Sequence, residues 1–336
     1  MTGLKAVKYY DDPAELPAEW DTYFNDELRQ RRFLAHLKRT SGVRHRYFFG
    51  EAESGRTVCG ILSRQKIYMS RFGLSFFMPA TVCALPMPEW SARAFGPEDG
   101  LGDVLRAMEA GHRGLMIVAG LDDRTGDYPG WTWKRHFPAV SLNIRWGRIE
   151  EYLKNLRASY RRRIFTALDA AKSCEVSIEG KDWFGQEAYA LYEKHALKHR
   201  YRSHPDDILK YDFFRYMPLS HEYIVLSSEG GTLGWVLVLK DGGVLRFLLC
   251  GFSKDNNAKY RIYDNLLIAL VKNGIEGSLA KVAMGQTAET SKMRIGGEAA
   301  EKYLIVRHSN PAVNVAISRT DFFSNRQSHT KPHVFK

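Results

Sequence analysis

No stretch of this 336-residue sequence approaches the roughly 18 consecutive apolar residues that a membrane span requires. The opening MTGLKAVKYYDD lacks the charged-then-apolar layout of a secretory leader, so the expectation is a soluble, cytoplasmic protein. Cysteine is scarce: Cys59, Cys83, Cys174 and Cys250 lie far apart, with no CxxC and no zinc-like cluster with histidine. That spacing argues against metal or disulfide chemistry, and Cys59 and Cys250, inside strand-like runs, read as buried free thiols. There is no GxSxG, no Walker loop and no GxGxxG at a strand–helix junction. Hydrolase, NTPase and dinucleotide-oxidoreductase readings therefore lack their minimum parts.

The residues that are present suffice for one large core or two ordinary ones, since 44% of them are hydrophobic. Acidic side chains are outnumbered: 49 Lys and Arg against 38 Asp and Glu leave a formal charge of +11. Anionic partners are favoured, and a coenzyme phosphate, a nucleic acid and an acidic carrier protein fit that charge equally well.

Hydrophobic periodicity gives a helix-and-strand rhythm that occurs twice. The first half reads as a helix from Ala18 to Lys38, strands RHRYFFGE, TVCGILSRQKIYMS and LSFFMPA, a helix from Leu101 to Glu109, and strands GLMIVAG and FPAVSLNI. The pattern restarts near Arg145–Arg148. From Ile149 to Lys172 the apolar positions follow helical spacing, as one long amphipathic helix or two joined ones. The strand CEVSIEG, a helix from Gln186 to Arg200 and a short helix from Asp206 to Arg215 follow. Three strands come next, EYIVLSS, GTLGWVLVLK and VLRFLLCGF, joined by SEGG and DGG turns. After the polar link SKDNNAK, a helix is expected from Tyr260 to Asn273 with Gly274 as its stop. LAKVAMG, KYLIVRH and NVAIS are read as closing strands. Two domains, 1–147 and 148–336, fit this layout.

Three features carry a family likeness. They are the basic helix YLKNLRASYRRRIFTALDAA before a strand, the meander GTLGWVLVLKDGGVLRFLLCGF leading to YRIYDNLLIALVKNG, and MGQTAETSKMRIGG. Together they resemble the tandem branch of the GNAT acyltransferases, which holds the Fem-type peptidyltransferases and related bacterial acyl-CoA N-acyltransferases. The resemblance covers roughly the last 190 residues by motif and the first half by layout. It implies an α/β (α+β) fold of two tandem GNAT-like domains, each a mixed, mostly antiparallel sheet flanked by helices. Ser291 and Ile295 stand where the family's lysine–glycine element carries aromatics, and KDNNAKYRIYDN lacks the glycine-rich pyrophosphate loop of ordinary GNAT enzymes.

Acyl transfer to an amine needs an anion site for the donor, a polarised carbonyl, and a path for the proton that the amine loses. The resemblance places Lys292 beside the reacting carbonyl; by spacing alone it is also readable as a surface lysine in a turn. Glu289, three residues earlier, is either the acceptor of the amine's proton or the lysine's salt-bridge partner. For the donor, the helix after DNNAK offers its N-terminus with Lys259, Tyr260, Arg261 and Tyr263, unless Asn256 or Asn257 simply caps it. Lys154, Arg157 and Arg161, at i, i+3 and i+7, would line one edge of the basic helix, either on a donor's phosphates or as a solvated face. His195 and His199 sit one helical turn apart without a third metal ligand, and His204 with Asp206 reads first as a turn and cap. No bound cofactor or metal is expected. The donor is an acyl-CoA or carrier thioester, with aminoacyl-tRNA as the alternative, and the acceptor is a small-molecule or peptide amine. A non-catalytic protein holding nucleic acid or an acidic partner on the same fold is the reading of another class.

Overall fold

The computed structural model describes residues 4–24, 26–53, 55–71, 74–87, 90–96, 100–198, 204–320, 323 and 332–336. Its strands are β1 (Leu4–Tyr10), β2 (Arg44–Ala52), β3 (Thr57–Arg71), β4 (Leu74–Cys83), β5 (Phe95–Gly96), β6 (Leu115–Leu121), β7 (Thr132–Asn143), β8 (Glu175–Glu179), β9 (Glu222–Ser228), β10 (Gly231–Asp241), β11 (Val244–Phe252), β12 (Lys281–Gly285) and β13 (Glu298–His308). Its helices are α1 (Trp20–Tyr23), α2 (Arg31–Thr40), α3 (Leu101–Gly111), α4 (Ile149–Asn155), α5 (Ala158–Ala170), α6 (Gln186–Lys198), α7 (Tyr211–Arg215), α8 (Lys254–Tyr260), α9 (Ile262–Glu276), α10 (Glu289–Arg294) and α11 (Pro311–Arg319). None of the described helices is long and apolar enough to cross a membrane.

The chain forms two compact units. The first comprises Met1–Phe137, Arg200–Pro218 and Glu301–Arg326, and the second Pro138–His199, Leu219–Ala300 and Gln327–Lys336. In the first unit the strands run β1-β2-β3-β4-β6-β13, antiparallel except for the parallel β4/β6 pair. A parallel neighbour needs a long crossover, and α3 lies within it. Val104, Leu105 and Met108 of α3 are buried with Phe48, Leu62 and Cys83 of the strands.

In the second unit the order is β7-β12-β11-β10-β9-β8, again antiparallel apart from one pair, β11/β12. Here α9 is the crossover. Strand β10 is buried on both faces from Leu233 to Leu239, so its sequence reads as a continuous apolar run. Trp235 donates its indole N–H to the Ala188 carbonyl of α6 at 2.8 Å, while Val236 and Val238 join the cluster that contains Leu266 and Leu270 of α9. Gly251 lets α6 approach the sheet, because a Cβ there would lie 2.7 Å from the Tyr192 nitrogen. The β10–β11 hairpin closes through Gly242 and Gly243, both with positive φ as a two-residue primed turn demands.

Several expected elements differ. The helix from Ala18 to Lys38 is two helices, α1 and α2, because the Asp26 carboxylate caps a 3-10 turn at Leu28 and Asp21 accepts the Arg31 N–H at the start of α2. The segment from Ile149 to Lys172 takes its two-helix alternative, broken where Leu156 and Arg157 are extended. The short helix expected at Asp206–Arg215 is a 3-10 turn, Pro205–Asp207, followed by α7. SKDNNAK is not a link: it forms α8, capped by Ser253. Arg261, at φ 47°, separates α8 from α9, which continues past Gly274 to Gly277. Gly274 is internal because a side chain there would meet Val282 at 2.6 Å. NVAIS is helical, not a strand; Asn310 accepts from the Ala312 and Val313 N–H groups with Pro311 at the first helical position, the N-terminal signature that overrides a β-branched run. Asn310→Ala is expected to cost about 1 kcal/mol, read as a lower denaturant midpoint at unchanged slope. All four cysteines are free, Cys59 and Cys83 buried, Cys174 and Cys250 partly so.

Candidate active site

Strand β12 ends at Gly285, and the chain turns through Thr287 and Ala288 at φ 62° and 50° into α10. Two consecutive non-glycine residues in the left-handed region are uncommon and cost of order 1–3 kcal/mol each, so surrounding contacts must hold them. One such contact is Lys292. Its ammonium turns back and donates to the Gln286 carbonyl at 2.6 Å, and lies 5.4 Å from the centroid of the Phe247 ring on β11. The side chain is buried, with the residue only 2% exposed, which settles the open question of a surface lysine. Glu289, one turn earlier on α10, is also buried, and the i,i+3 spacing puts both on one face of the helix.

The glycines after the lysine fix this helix in place. Gly296, at φ 93°, would bring a Cβ within 2.2 Å of the Phe335 ring; Gly297 would bring one within 2.6 Å of Val140 and 2.7 Å of the Lys292 carbonyl oxygen. Gly297 donates its N–H to that same carbonyl at 3.1 Å. Tyr152, fully buried on α4, donates its hydroxyl to the Ile295 carbonyl at 2.8 Å, and the rings of Trp146, Tyr152 and Phe335 pack edge-on or tilted against one another. Ile295, where the family element carries an aromatic, is itself buried, its backbone oxygen serving as the anchor.

From the neighbouring elements come Tyr263 on α9 and Cys250 on β11. Burial drives the Tyr263 hydroxyl well above its ordinary pKa, with Cys250, Asp264 and Glu289 adding to the shift. Burial likewise raises the Cys250 thiol to about 12, although the nearby Lys292 and Lys254 charges oppose it. Lys292, Glu289, Tyr263, Cys250 and Phe247 thus form one neighbourhood in the second unit, with tyrosine and thiol both protonated at neutral pH. Phe247 and Cys250 had no signal in the sequence beyond their place in a strand-like run, and Tyr152 had none.

The expected donor residues are placed differently from one another. Lys259 is exposed and stacks on its neighbour Tyr260 at 4.5 Å. Arg261 is engaged by Asp264, with N···O distances of 2.7 and 3.0 Å. The Tyr263 N–H at the start of α9 is occupied by the Asn257 side chain at 3.0 Å. Arg157 and Arg161 do not share a helical row with Lys154, because the break at Leu156 lies between them. Arg157 instead donates to the Phe335 carbonyl, and Arg161 to the Leu156 carbonyl, so both tie the break together. His195 packs on Phe252 at 4.6 Å, and His199 lies outside the described residues. His204 and Asp206 form the capping turn read from their sequence, with Lys66 on the Asp206 carboxylate at 3.3 Å.

No family profile matches this chain, and no curated protein matches its sequence. Solved structures do match. FemX is 11% identical, with 93% of this chain and 100% of that one covered at a TM-score of 0.54. L-PGS from Bacillus licheniformis is 14% identical, with 94% and 98% covered at 0.50. A conserved protein of unknown function from Bacteroides thetaiotaomicron VPI-5482 is 10% identical, with 90% and 100% covered at 0.52.

The chain has a GNAT fold.

Within this GNAT fold, each unit's sheet is mixed and mostly antiparallel, and the parallel pair of the second unit, β11/β12, delivers Phe247 and Cys250 from one strand and α10 from the other. The buried lysine therefore follows from the crossover: the strand after α9 must end beside β11, and its exit turn carries Lys292 onto the β11 ring.

Proposed function

We propose that this protein is an N-acyltransferase that moves an acyl group from an acyl-CoA or carrier thioester to an amine, forming an amide. The observation that carries this reading is the burial of the Lys292 ammonium between a backbone carbonyl and an aromatic face, one turn from a buried carboxylate. A cation held in such surroundings is far more effective on developing charge than one in water. The amine nitrogen attacks the donor carbonyl, the carbonyl oxygen gains negative charge that Lys292 stabilises, and Glu289 accepts the amine's proton. Collapse of the tetrahedral species breaks the carbon–sulfur bond, and the thiolate leaves, taking up a proton.

The formal charge of +11 supports a second donor, an aminoacyl-tRNA, whose ester would be cleaved by the same steps with a hydroxyl as leaving group. Incubating the purified protein with acyl-CoA thioesters and with aminoacyl-tRNA, each against a panel of primary amines, should yield an amide detectable by mass spectrometry with one donor class. A coenzyme A mass in native spectrometry points to the thioester, and a ribonuclease-sensitive absorbance points to tRNA. Saturable binding of nucleic acid with no amide from any donor would replace the enzyme reading by the non-catalytic one.

A further inference from the structure

The first unit contains a cavity that this reaction does not use. Pairing of β2 with β3 sets Arg44 opposite Arg64, and pairing of β3 with β4 sets Arg64 opposite Thr81, so these side chains share one sheet face. Two residues further along β3 and β4, and four along β2, the same face becomes apolar: Leu62, Cys83 and Phe48 are buried with the α3 side chains. Helix α3 ends at Gly111, and beyond it the face carries charge. A cavity of about 380 Å³ opens there, lined by Arg46, Arg64, Thr81, His112 and Arg113 among others. That volume lies within the usual range for small-ligand sites, roughly 300–1,000 Å³.

Three guanidinium groups meet at this cavity with little to neutralise them. Arg46 lies over the Tyr9 ring at 4.8 Å and faces the Asp11 carboxylate at 3.5 Å, but that carboxylate side chain is 83% exposed. Arg113 donates to the backbone carbonyls of Glu109 and His112, which leaves its charge uncompensated. Arg64 is exposed and its side chain makes no hydrogen bond or ion pair among the described residues. Three fixed positive charges against one solvated negative charge match a dianion, and the guanidinium fork matches the oxygens of a phosphoryl group. The neighbouring cavity of about 240 Å³ shares Arg64, yet there Lys66 is paired with Asp206, and Asp207 also lines the wall. Anion binding is therefore confined to the Arg46–Arg113 side.

We propose that this cavity binds the phosphate or pyrophosphate group of a small ligand. The site stands on its own residues and does not depend on the acyl-transfer reading. His112 supplies a reporter: burial, with Arg46 and Arg64 nearby, holds its ring at a pKa of about 4. The other groups around it are Tyr9, edge-on at 5.9 Å, and Arg113 next in sequence. An anion that offsets the two arginine charges would raise the His112 pKa.

The test is calorimetric titration of the full chain with inorganic pyrophosphate and with ADP, which separates a bare anion from a phosphate ester, together with NMR titration of His112. Saturable binding of either probe is expected, weakened at least about tenfold by Arg64→Gln, the scale of one charge-assisted hydrogen bond. Arg64→Gln should melt as the parent does, having no partner to lose, and Arg162→Gln on the exposed face of α5 should bind as the parent does. Equal affinity of parent and Arg64→Gln, or a His112 titration unmoved by saturating pyrophosphate, would overturn the site. So would preferential binding of a phosphodiester oligonucleotide, which would make the patch a nucleic-acid surface.

Discussion

Lys292→Met is expected to lower turnover in acyl transfer by about a hundredfold or more while the protein still folds. The size is that of losing one group aimed at a developing oxyanion. Methionine keeps the length and most of the volume, so no large cavity opens beneath Phe247. What the variant loses in stability is the hydrogen bond to the Gln286 carbonyl, about 1–3 kcal/mol if that oxygen is left unsatisfied. Removing the ammonium also leaves the buried Glu289 carboxylate, one turn away on the same face, without that cation nearby, which adds to the loss. The interaction strengthens only as the carbonyl oxygen gains charge, so kcat should fall with little change in KM. Lys292→Arg should not restore activity, since a planar guanidinium does not reproduce the compact point charge that the buried ammonium places beside the Gln286 carbonyl. Steady-state rates for parent, Met and Arg variants, with thermal melts alongside, check this. Full turnover in the Met variant would remove Lys292 from the mechanism.

The second large effect is structural. Gly296→Ala is expected to destabilise the protein by about 3 kcal/mol or more, with activity falling beyond the unfolded fraction. Two penalties act at once. A backbone at φ 93° is closed to side chains by collision with the neighbouring carbonyls. Independently, the new methyl would sit 2.2 Å from the Phe335 ring, which cannot swing aside because Trp146 and Tyr152 pack against it. Relief requires α10 to lift or the 332–336 tail to leave, and either movement disturbs Lys292. Gly180→Ala is the matched control: its φ of −80° suits any residue and nothing lies within 4 Å of the added atom. A Gly296→Ala variant that melts with the parent would show that the tail does not clamp the helix.

Most strands of both halves were legible because period-two alternation and glycine turns are local properties: TVCGILSRQKIYMS, the three-strand meander and KYLIVRH all lie in β3, β9–β11 and β13, whereas β1 and the two-residue β5 were not read. Helices were read less well where composition and capping disagree. SKDNNAK is too polar to show a buried stripe, yet Ser253 caps it, and NVAIS is rich in β-branched residues, yet Asn310 and Pro311 start a helix. The basic row at Lys154, Arg157 and Arg161 failed for a different reason. Leu156 is held extended in a bridge to Phe335, a residue nearly 180 positions away that no local pattern can reveal.

The same division applies to the candidate site. The sequence by itself determined which residue types were available late in the chain: one lysine, a glutamate at helical spacing before it, and two glycines after it. It also determined that strands would flank them, LAKVAMG before and KYLIVRH after, since that alternation is short-range; the six-residue helix α10 that carries the lysine is too short to show a period of its own. Whether Lys292 faced water or the interior was decided only by tertiary structure. The parallel pairing of β11 with β12 brings Phe247 beneath the lysine, the left-handed turn at Thr287 and Ala288 points Gln286 back at it, and the Phe335 tail closes against Gly296. Burial is a property of what packs around a side chain, and Phe247 and Phe335 come from distant parts of the chain that no local pattern links to Lys292.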